Sequence, residues 1–381
     1  MTKQSLTRTL LSVLVLLATV VCAPRLASAA SARPETKPAW QVEWEKTLAA
    51  AKKEGKVAVF GPPGIQARQI LADSFQKKFG IQVEYTGIFG RDMAQKILSE
   101  RRAGFYAVDV HLGGTTTIMT VFEKGGLLEP LEPMFILPEV KEPQNWVLGH
   151  LWTDNATKTV YLATVQLNSS TAINTSLVKP DQLKSFTDLL DPKWKKKIVF
   201  FEPRSPGPGA ATWSHLGRTL GEEYLKRLAA QELTIFPNSR DMAEAVVRGR
   251  FPIGLGVSGE DVAPFIKEGL PITLLKASHM KEGSYASPGP SAVVVFKNAP
   301  NPNAAKVYLN WYLSREGQLL FAEGVGYPHR RADVPVIETL GREPIQPLVA
   351  RGEPLPWCNG CDMRSIQDAQ KYQELARQLL K

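Results

Sequence analysis

From residue 57 onward the chain alternates between short apolar runs and stretches whose apolar residues recur every three or four positions. Val57-Ala58-Val59-Phe60 is a run of the first kind, ended by Gly61-Pro62-Pro63-Gly64. Leu71, Phe75 and Phe79 then fall four apart, the spacing of one helix face. Ile81 to Thr86 reads as a second strand, Met93 and Ile97 as the buried side of a second helix, and Val108-Asp109-Val110 as the start of a third strand. Ile118, Met119 and Phe122 mark a third helix. Ahead of this series, Trp40 to Lys53 reads as a helix with Trp44 and Leu48 on one face. Strands that alternate with helices predict an α/β fold: a mostly parallel sheet with helices on both faces.

The theme repeats further on. Val160 to Asn168 is a longer extended stretch, read as a strand crossing into a second lobe. Ile198 to Phe201, Phe251 to Val257 and Ser291 to Phe296 read as strands, and a helix is predicted from about Gly209. Asn303 to Phe321 is a long helical region broken near Ser314. Residues 333 to 356 are rich in proline and predicted irregular, and Gln367 to Leu380 closes the chain as a helix. The pattern divides the chain into lobe 1 (40–160 with 280–330), lobe 2 (161–279) and a C-terminal tail (331–381) that packs back on the lobes. A chain of 381 residues is long enough for two such cores.

The N-terminus has a different character. Lys3 and Arg8 precede an apolar run from Leu10 to about Val21, and Ala27-Ser28-Ala29 offers a small-residue cleavage site. These parts make a secretory signal peptide over residues 1–29 and predict export to the periplasm. Losing Lys3, Arg8 and Arg25, with no acid, lowers the formal charge from +9 to +6. No basic stripe with interleaved aromatics follows, which argues against nucleic acid. Lys193-Trp194-Lys195-Lys196-Lys197 is the densest basic run and reads as a solvated face. None of His111, His150, His215, His279 and His329 sits in a metalloprotease or nucleophile-elbow motif, so no catalytic residue, metal ligand or cofactor is assigned. Cys358 and Cys361 are the cysteines left after cleavage. In an exported protein they point to a disulfide; a redox pair and half of a metal site are the other readings.

Four segments in order resemble the periplasmic solute-binding proteins of ABC importers, in the cluster that contains the ferric-ion-binding proteins. They are Ala103-Gly104 with Val108-Asp109-Val110, Phe186-Thr187-Asp188-Leu189 with Pro192 to Ile198, Ser291 to Phe296 with Asn303 to Gly317, and Gly326-Tyr327-Pro328 with Arg331 to Val334. The resemblance covers roughly residues 55 to 335. It implies a two-lobed type 2 binding-protein fold with crossing hinge strands, a solute held in the cleft, and ABC permease subunits as membrane partners of a monomer. Ferric binders of this family use a histidine, an acid and adjacent tyrosines. The matching positions here hold Gly64, Gly114, and Gly259 with Glu260. Glycines offer a hard ferric ion no side-chain ligand. The resemblance therefore implies transport while its departures argue against iron in that mode.

Glycines and helix starts suit an anion instead, because free backbone N–H groups there carry partial positive charge. Pro208-Gly209-Ala210 matches the place where ferric binders hold a synergistic anion, and Arg204 nearby offers a planar fork for carboxylate or phosphate. Candidate contacts are Gly61 and Gly64 after the first strand, Arg91 after the second, and Gly113, Gly114 and Thr115 after the third. Lobe 2 adds Arg204, Gly209, Ala210, Ser258 and Glu260, and the hinge adds Tyr285. Each has a plainer reading: a surface arginine, a threonine N-cap, a packed tyrosine. Trp213 and Tyr327 are assigned to structure rather than ligand. The favoured function is a binding protein for a small organic anion such as a carboxylate or phosphonate. The alternatives are a ferric or metal-chelate binder of the same class, and an exported enzyme or redox protein using the cysteine pair.

Overall fold

Strands buried on both faces read as unbroken apolar runs, and these runs form the centre of the structure. It is a computed structural model that describes residues 37–88 and 90–380; the signal peptide expected over 1–29 lies outside the described residues. The first sheet contains β1 (Lys56–Gly61), β2 (Gln82–Gly87), β3 (Val110–Gly113), β4 (Tyr161–Leu162) and, from late in the chain, β12 (Ala292–Val295). Its order is β2-β1-β3-β12-β4. β1, β2 and β3 run parallel, and β12 returns antiparallel to β3.

The second sheet has the order β10-β6-β9-β7-β8, made from β6 (Thr171–Asn174), β7 (Ile198–Phe201), β8 (Thr234–Phe236), β9 (Ile253–Leu255) and β10 (Ile272–Leu275). β9, β7 and β8 are parallel, while β6 and β10 are antiparallel to their neighbours. Each lobe thus carries three parallel strands on one side and antiparallel strands on the other. The antiparallel strands lie next to the points where the chain crosses between lobes.

A third, small sheet forms the hinge: β5 (Gln166–Asn168) lies between β11 (Ala286–Ser287) and β13 (Arg342–Pro344). The extended stretch expected over 160–168 is therefore two strands in two sheets. Thr164, fully buried, marks the break: its Oγ1 hydrogen-bonds Ser291 Oγ (2.6 Å) and donates to the Pro288 carbonyl (2.9 Å). The tail expected to be irregular over 333–356 holds β13 and a short helix, Gln346–Ala350. A three-residue polar strand ending in proline carries no periodic signal, and proline is tolerated because this strand lies at a sheet edge.

Helices cover both sheets. Pro302–Leu313 and Arg315–Val325 are separated at Ser314, whose hydroxyl accepts from Gly317 N (3.2 Å) and caps the second helix. Buried Asp109 ties the first lobe together. Its carboxylate accepts from Ala58 N (2.7 Å), Asn301 N (2.7 Å) and Asn301 Nδ2 (2.9 Å), joining β1 to the start of Pro302–Leu313. The C-terminal helix, Met363–Leu379, packs on Pro208–Leu220, with Ala376 and Leu380 in the second lobe's core. Among the described residues no helix is long and apolar enough to cross a membrane.

Candidate functional site

In parallel α/β sheets, ligands bind beyond the carboxyl ends of the strands. A cleft of about 440 Å³ lies there. The turn after β3 supplies Gly114 and Thr115, the turn after β7 supplies Pro206 to Pro208, and the turn after β9 supplies Ser258 to Glu260. The hinge adds Gln166, Tyr285 and Pro288, and the C-terminal segment adds Arg342, Asn359 and Gly360. A larger hollow of about 1070 Å³ lies between β10 and the segment 338–356. No turn from β3, β7 or β9 opens into it.

Two helices point their N-termini into the cleft. Pro208–Leu220 starts after Gly207 and Gly259–Lys267 after Ser258, and neither has a side-chain cap. A helix start leaves backbone N–H groups without intrahelical acceptors and bears partial positive charge. The first helix comes close to its strand because residue 209 is glycine: a Cβ there would meet the Phe201 carbonyl oxygen.

The side chains are mostly neutral. Gln166 is fully buried; its Oε1 accepts from Thr164 Oγ1 (3.3 Å), while its Nε2 has no hydrogen-bond partner among the described residues. The His111 ring is buried beneath the cleft and its Nδ1 donates to the Phe60 carbonyl (3.0 Å). Burial pushes this imidazole down to about 4, partly offset by that bond, so it is neutral and its Nε2 is an acceptor. Burial likewise pushes the Tyr285 hydroxyl up to about 12.

Arg342 is the cleft's buried cation, with its side chain 8% exposed. Its guanidinium lies 3.8 Å from the centre of the Tyr327 ring, donates to Tyr327 Oη (2.9 Å) and the Gly326 carbonyl (3.1 Å), and pairs with Glu260. Burial works against the charge, but the Tyr327 hydroxyl and the Glu260 carboxylate outweigh it and hold the group above its ordinary value. Tyr327, expected to be purely structural, is a cleft residue beneath this arginine.

The structure brings Gly114, Thr115, Ser258, Glu260 and Tyr285 together in the cleft. It takes other candidates out. Arg204 is bound by Glu202 through Nε (2.8 Å) and Nη2 (2.6 Å), and its Nη1 donates to the Leu380 carbonyl (3.3 Å). This corrects its assignment as the anion's fork: the guanidinium ties the loop after β7 to the C-terminus. Gly61 packs against Tyr85, whose hydroxyl would lie 2.6 Å from a Cβ there, and Gly113 packs against the His111 ring. Gly64 precedes the short helix Ile65–Arg68, away from the cleft lining. Gly209 is spent on the helix-to-strand contact, and Ala210 borders a small hollow of about 50 Å³ beside the cleft. The Arg91 backbone belongs to the helix Gly90–Arg102, and its side chain is outside the described residues. Trp213 is a core residue, edge-on to Phe200 at 5.6 Å. Cys358 and Cys361 are joined as a disulfide, with Cα atoms 5.5 Å apart.

Sequence reasoning missed Gln166, Arg342, Asn359 and Gly360. Gln166 sat inside a strand assignment, where an inward amide was the available signal. Arg342 lies in the segment expected to be irregular, Asn359 and Gly360 lie inside the cysteine motif read only as a disulfide, and nothing local marks them as neighbours of Thr115.

Residues 71–339 match the model of a family described as bacterial extracellular solute-binding protein. An uncharacterized protein of Haemophilus influenzae is 25% identical over 279 residues, 71% of this chain and 76% of that protein. Among solved structures, iron-bound HitA from Pseudomonas aeruginosa is similar at a TM-score of 0.65 and 20% identity, covering 86% of this chain and 99% of that one. The periplasmic binding protein AfuA from Actinobacillus pleuropneumoniae, with fructose-6-phosphate bound, gives a TM-score of 0.52 and 19% identity over 86% and 96% of the two chains.

Proposed function

Because the chain belongs to the family of bacterial extracellular solute-binding proteins, we propose that it captures a small organic anion, a carboxylate or phosphonate, in the periplasm and delivers it to an ABC permease as a monomer. The observation that carries the anion reading is the convergence of two uncapped helix starts on one cleft, with the unpartnered Gln166 Nε2 as an added donor. A ligand oxygen satisfies donors of this kind that are otherwise costly to bury. Arg342 is buried but its charge is matched by the exposed Glu260 carboxylate, so the helix starts and amides supply the attraction.

A second reading, a ferric or metal-chelate binder, draws on the likeness to iron-bound HitA. Against it, the positions matched to the family's ferric ligands hold Gly64, Gly114 and Gly259, which offer a metal no side-chain ligand. For the reading as an enzyme or redox protein, the Cys358–Cys361 disulfide fits a structural cross-link and an oxidised redox pair alike.

The test is a thermal-shift screen of the exported chain against succinate, malate, methylphosphonate, glucose 6-phosphate and ferric citrate. A ligand that binds only the folded state raises the melting temperature, by about 2.7 kcal/mol of stabilisation at a hundredfold excess over Kd. Stabilisation by an iron-free anion supports the reading. Stabilisation by ferric citrate alone overturns it in favour of the chelate.

A further inference from the structure

The family match ends at residue 339, yet four residues that line the cleft come after it: Gly341, Arg342, Asn359 and Gly360. The last two sit inside the four-residue loop closed by the Cys358–Cys361 disulfide. This loop is fixed on every side. Ala286 N donates to the Trp357 carbonyl (2.9 Å), and Asn359 N donates to the Ala286 carbonyl (2.8 Å), so the loop lies along hinge strand β11. Gly360 N donates to Ser365 Oγ (3.0 Å), and Asp362 Oδ1 accepts from Ser365 N (2.7 Å), which anchors the loop to the start of the C-terminal helix. Gly360 has φ +87, and a Cβ at this residue would meet Thr115 Oγ1. Glycine is therefore required twice over, for its dihedral and for its contact with the opposite lobe. In contrast, the Asn359 side-chain amide has no hydrogen-bond partner among the described residues, although its backbone is held on both sides.

We propose that the loop Trp357–Cys361 is a solute-contacting wall of the cleft, and that the Asn359 amide is a specificity-determining contact that selects a hydroxylated organic anion. This rests on the anion reading above. The two helix starts suit the charged end of such a ligand. Asn359 offers an NH2 group that donates and a carbonyl that accepts, the two functions a hydroxyl group pairs with; Gln166 Nε2 and His111 Nε2 provide a further donor and acceptor on the same cleft. A site built to hydrogen-bond a ligand hydroxyl rejects the analogue that lacks it, because its own polar groups are then left unpaired. The disulfide and the backbone bonds to Ala286 hold the amide in place before binding, so little ordering entropy opposes that contact.

The experiment is calorimetry on the full exported chain with matched probes that differ by one hydroxyl: malate against succinate, and glucose 6-phosphate against its 2-deoxy analogue. The wild type is expected to prefer the hydroxylated member of at least one pair by about tenfold or more. Asn359→Ala should bring that ratio to within about twofold, by weakening the hydroxylated member and by sparing the deoxy member an unpaired amide. Asn359→Asp should weaken both members, because it sets a negative charge against the anion. A preference that survives Asn359→Ala overturns the proposal and leaves the anion reading standing. If no member of either pair binds, the anion reading fails and this proposal fails with it. Because Cys358→Ser with Cys361→Ser would release the wall without touching Asn359, this double variant should keep its circular dichroism spectrum and lose the preference. Retention of the preference in it counts against a preset wall.

Discussion

Arg204, a candidate from the sequence, is held by its own loop, while Arg342, which the sequence did not single out, lies in the cleft. Arg204 stands among prolines and glycines just ahead of a helix, where an arginine looks free to meet a ligand. A carboxylate two residues back, Glu202, takes the Nε–Nη2 edge of its guanidinium, and the Leu380 carbonyl accepts from Nη1. Arg342, in a segment without periodic signal, reaches the cleft and is sealed between Tyr327 and Glu260. Arg204→Ala is expected to cost about 1 kcal/mol in urea unfolding and to leave ligand affinity unchanged in calorimetry, because the pair is partly exposed. Arg342→Ala should cost about 2 kcal/mol, through the lost ring contact and the lost hydrogen bonds to Tyr327 and Gly326. The histidines give a second residue-scale prediction. Burial pushes His111 and His215 from an ordinary value of 6.5 down to about 4. The unfolded chain therefore takes up these protons first as pH falls. Stability that is fully present above pH 6.5 is lost between 6.5 and about 4, by about 3 kcal/mol for each group. Urea midpoints measured across that range should fall steeply, and His111→Gln should flatten the slope. A slope unchanged in that variant would remove His111 as a source of it.

At the scale of elements, legibility followed burial. β1, β7 and β12 lie inside sheets covered on both faces, and their apolar runs marked them within a residue or two. The helices Pro302–Leu313 and Arg315–Val325 were equally plain, with the break at Ser314. β6, β8 and β10 were not assigned, because three or four residues fall below any periodicity. The crossing stretch 160–168 was read as one strand because its apolar character continues unbroken from the first sheet into the hinge. One contact that sequence does show as a glycine, but not as a packing constraint, is Gly209. The helix Pro208–Leu220 rests on the end of β7 with no room for a side chain. Gly209→Ala would gain helix propensity of about 1 kcal/mol, yet it must push the helix off the Phe201 carbonyl. The expected net result is a loss of about 2 kcal/mol or more, read as a lower urea midpoint, with a weaker ligand-induced thermal shift because the helix start moves. A midpoint at or above that of the wild type would show that the helix can yield without cost.

For the whole molecule, the turns that build the cleft were legible because the fold places them, while the residues that complete it come from the far end of the chain. Gly114 and Thr115 follow a strand, as that rule expects, while Glu260 was singled out through the positions matched to the family's tyrosines. Arg342, Asn359 and Gly360 reach the same cleft by tertiary contact, which no local pattern encodes. Their segment touches both lobes: Gly360 lies on Thr115 and beside Ala286, while Met363–Leu379 packs on Pro208–Leu220. Closure of a two-lobed binding protein is a hinge motion. Here the hinge is not two crossing strands alone, since β13 is added to β5 and the disulfide loop is laid along β11. A brace that contacts both lobes should narrow the range of opening. Small-angle scattering of the ligand-free protein is thus expected to give a compact particle that contracts only slightly with a bound anion. The variant with Cys358→Ser and Cys361→Ser should be larger when empty and contract more on binding. Equal dimensions for the two empty proteins would mean that β5, β11 and β13 set the opening without the loop.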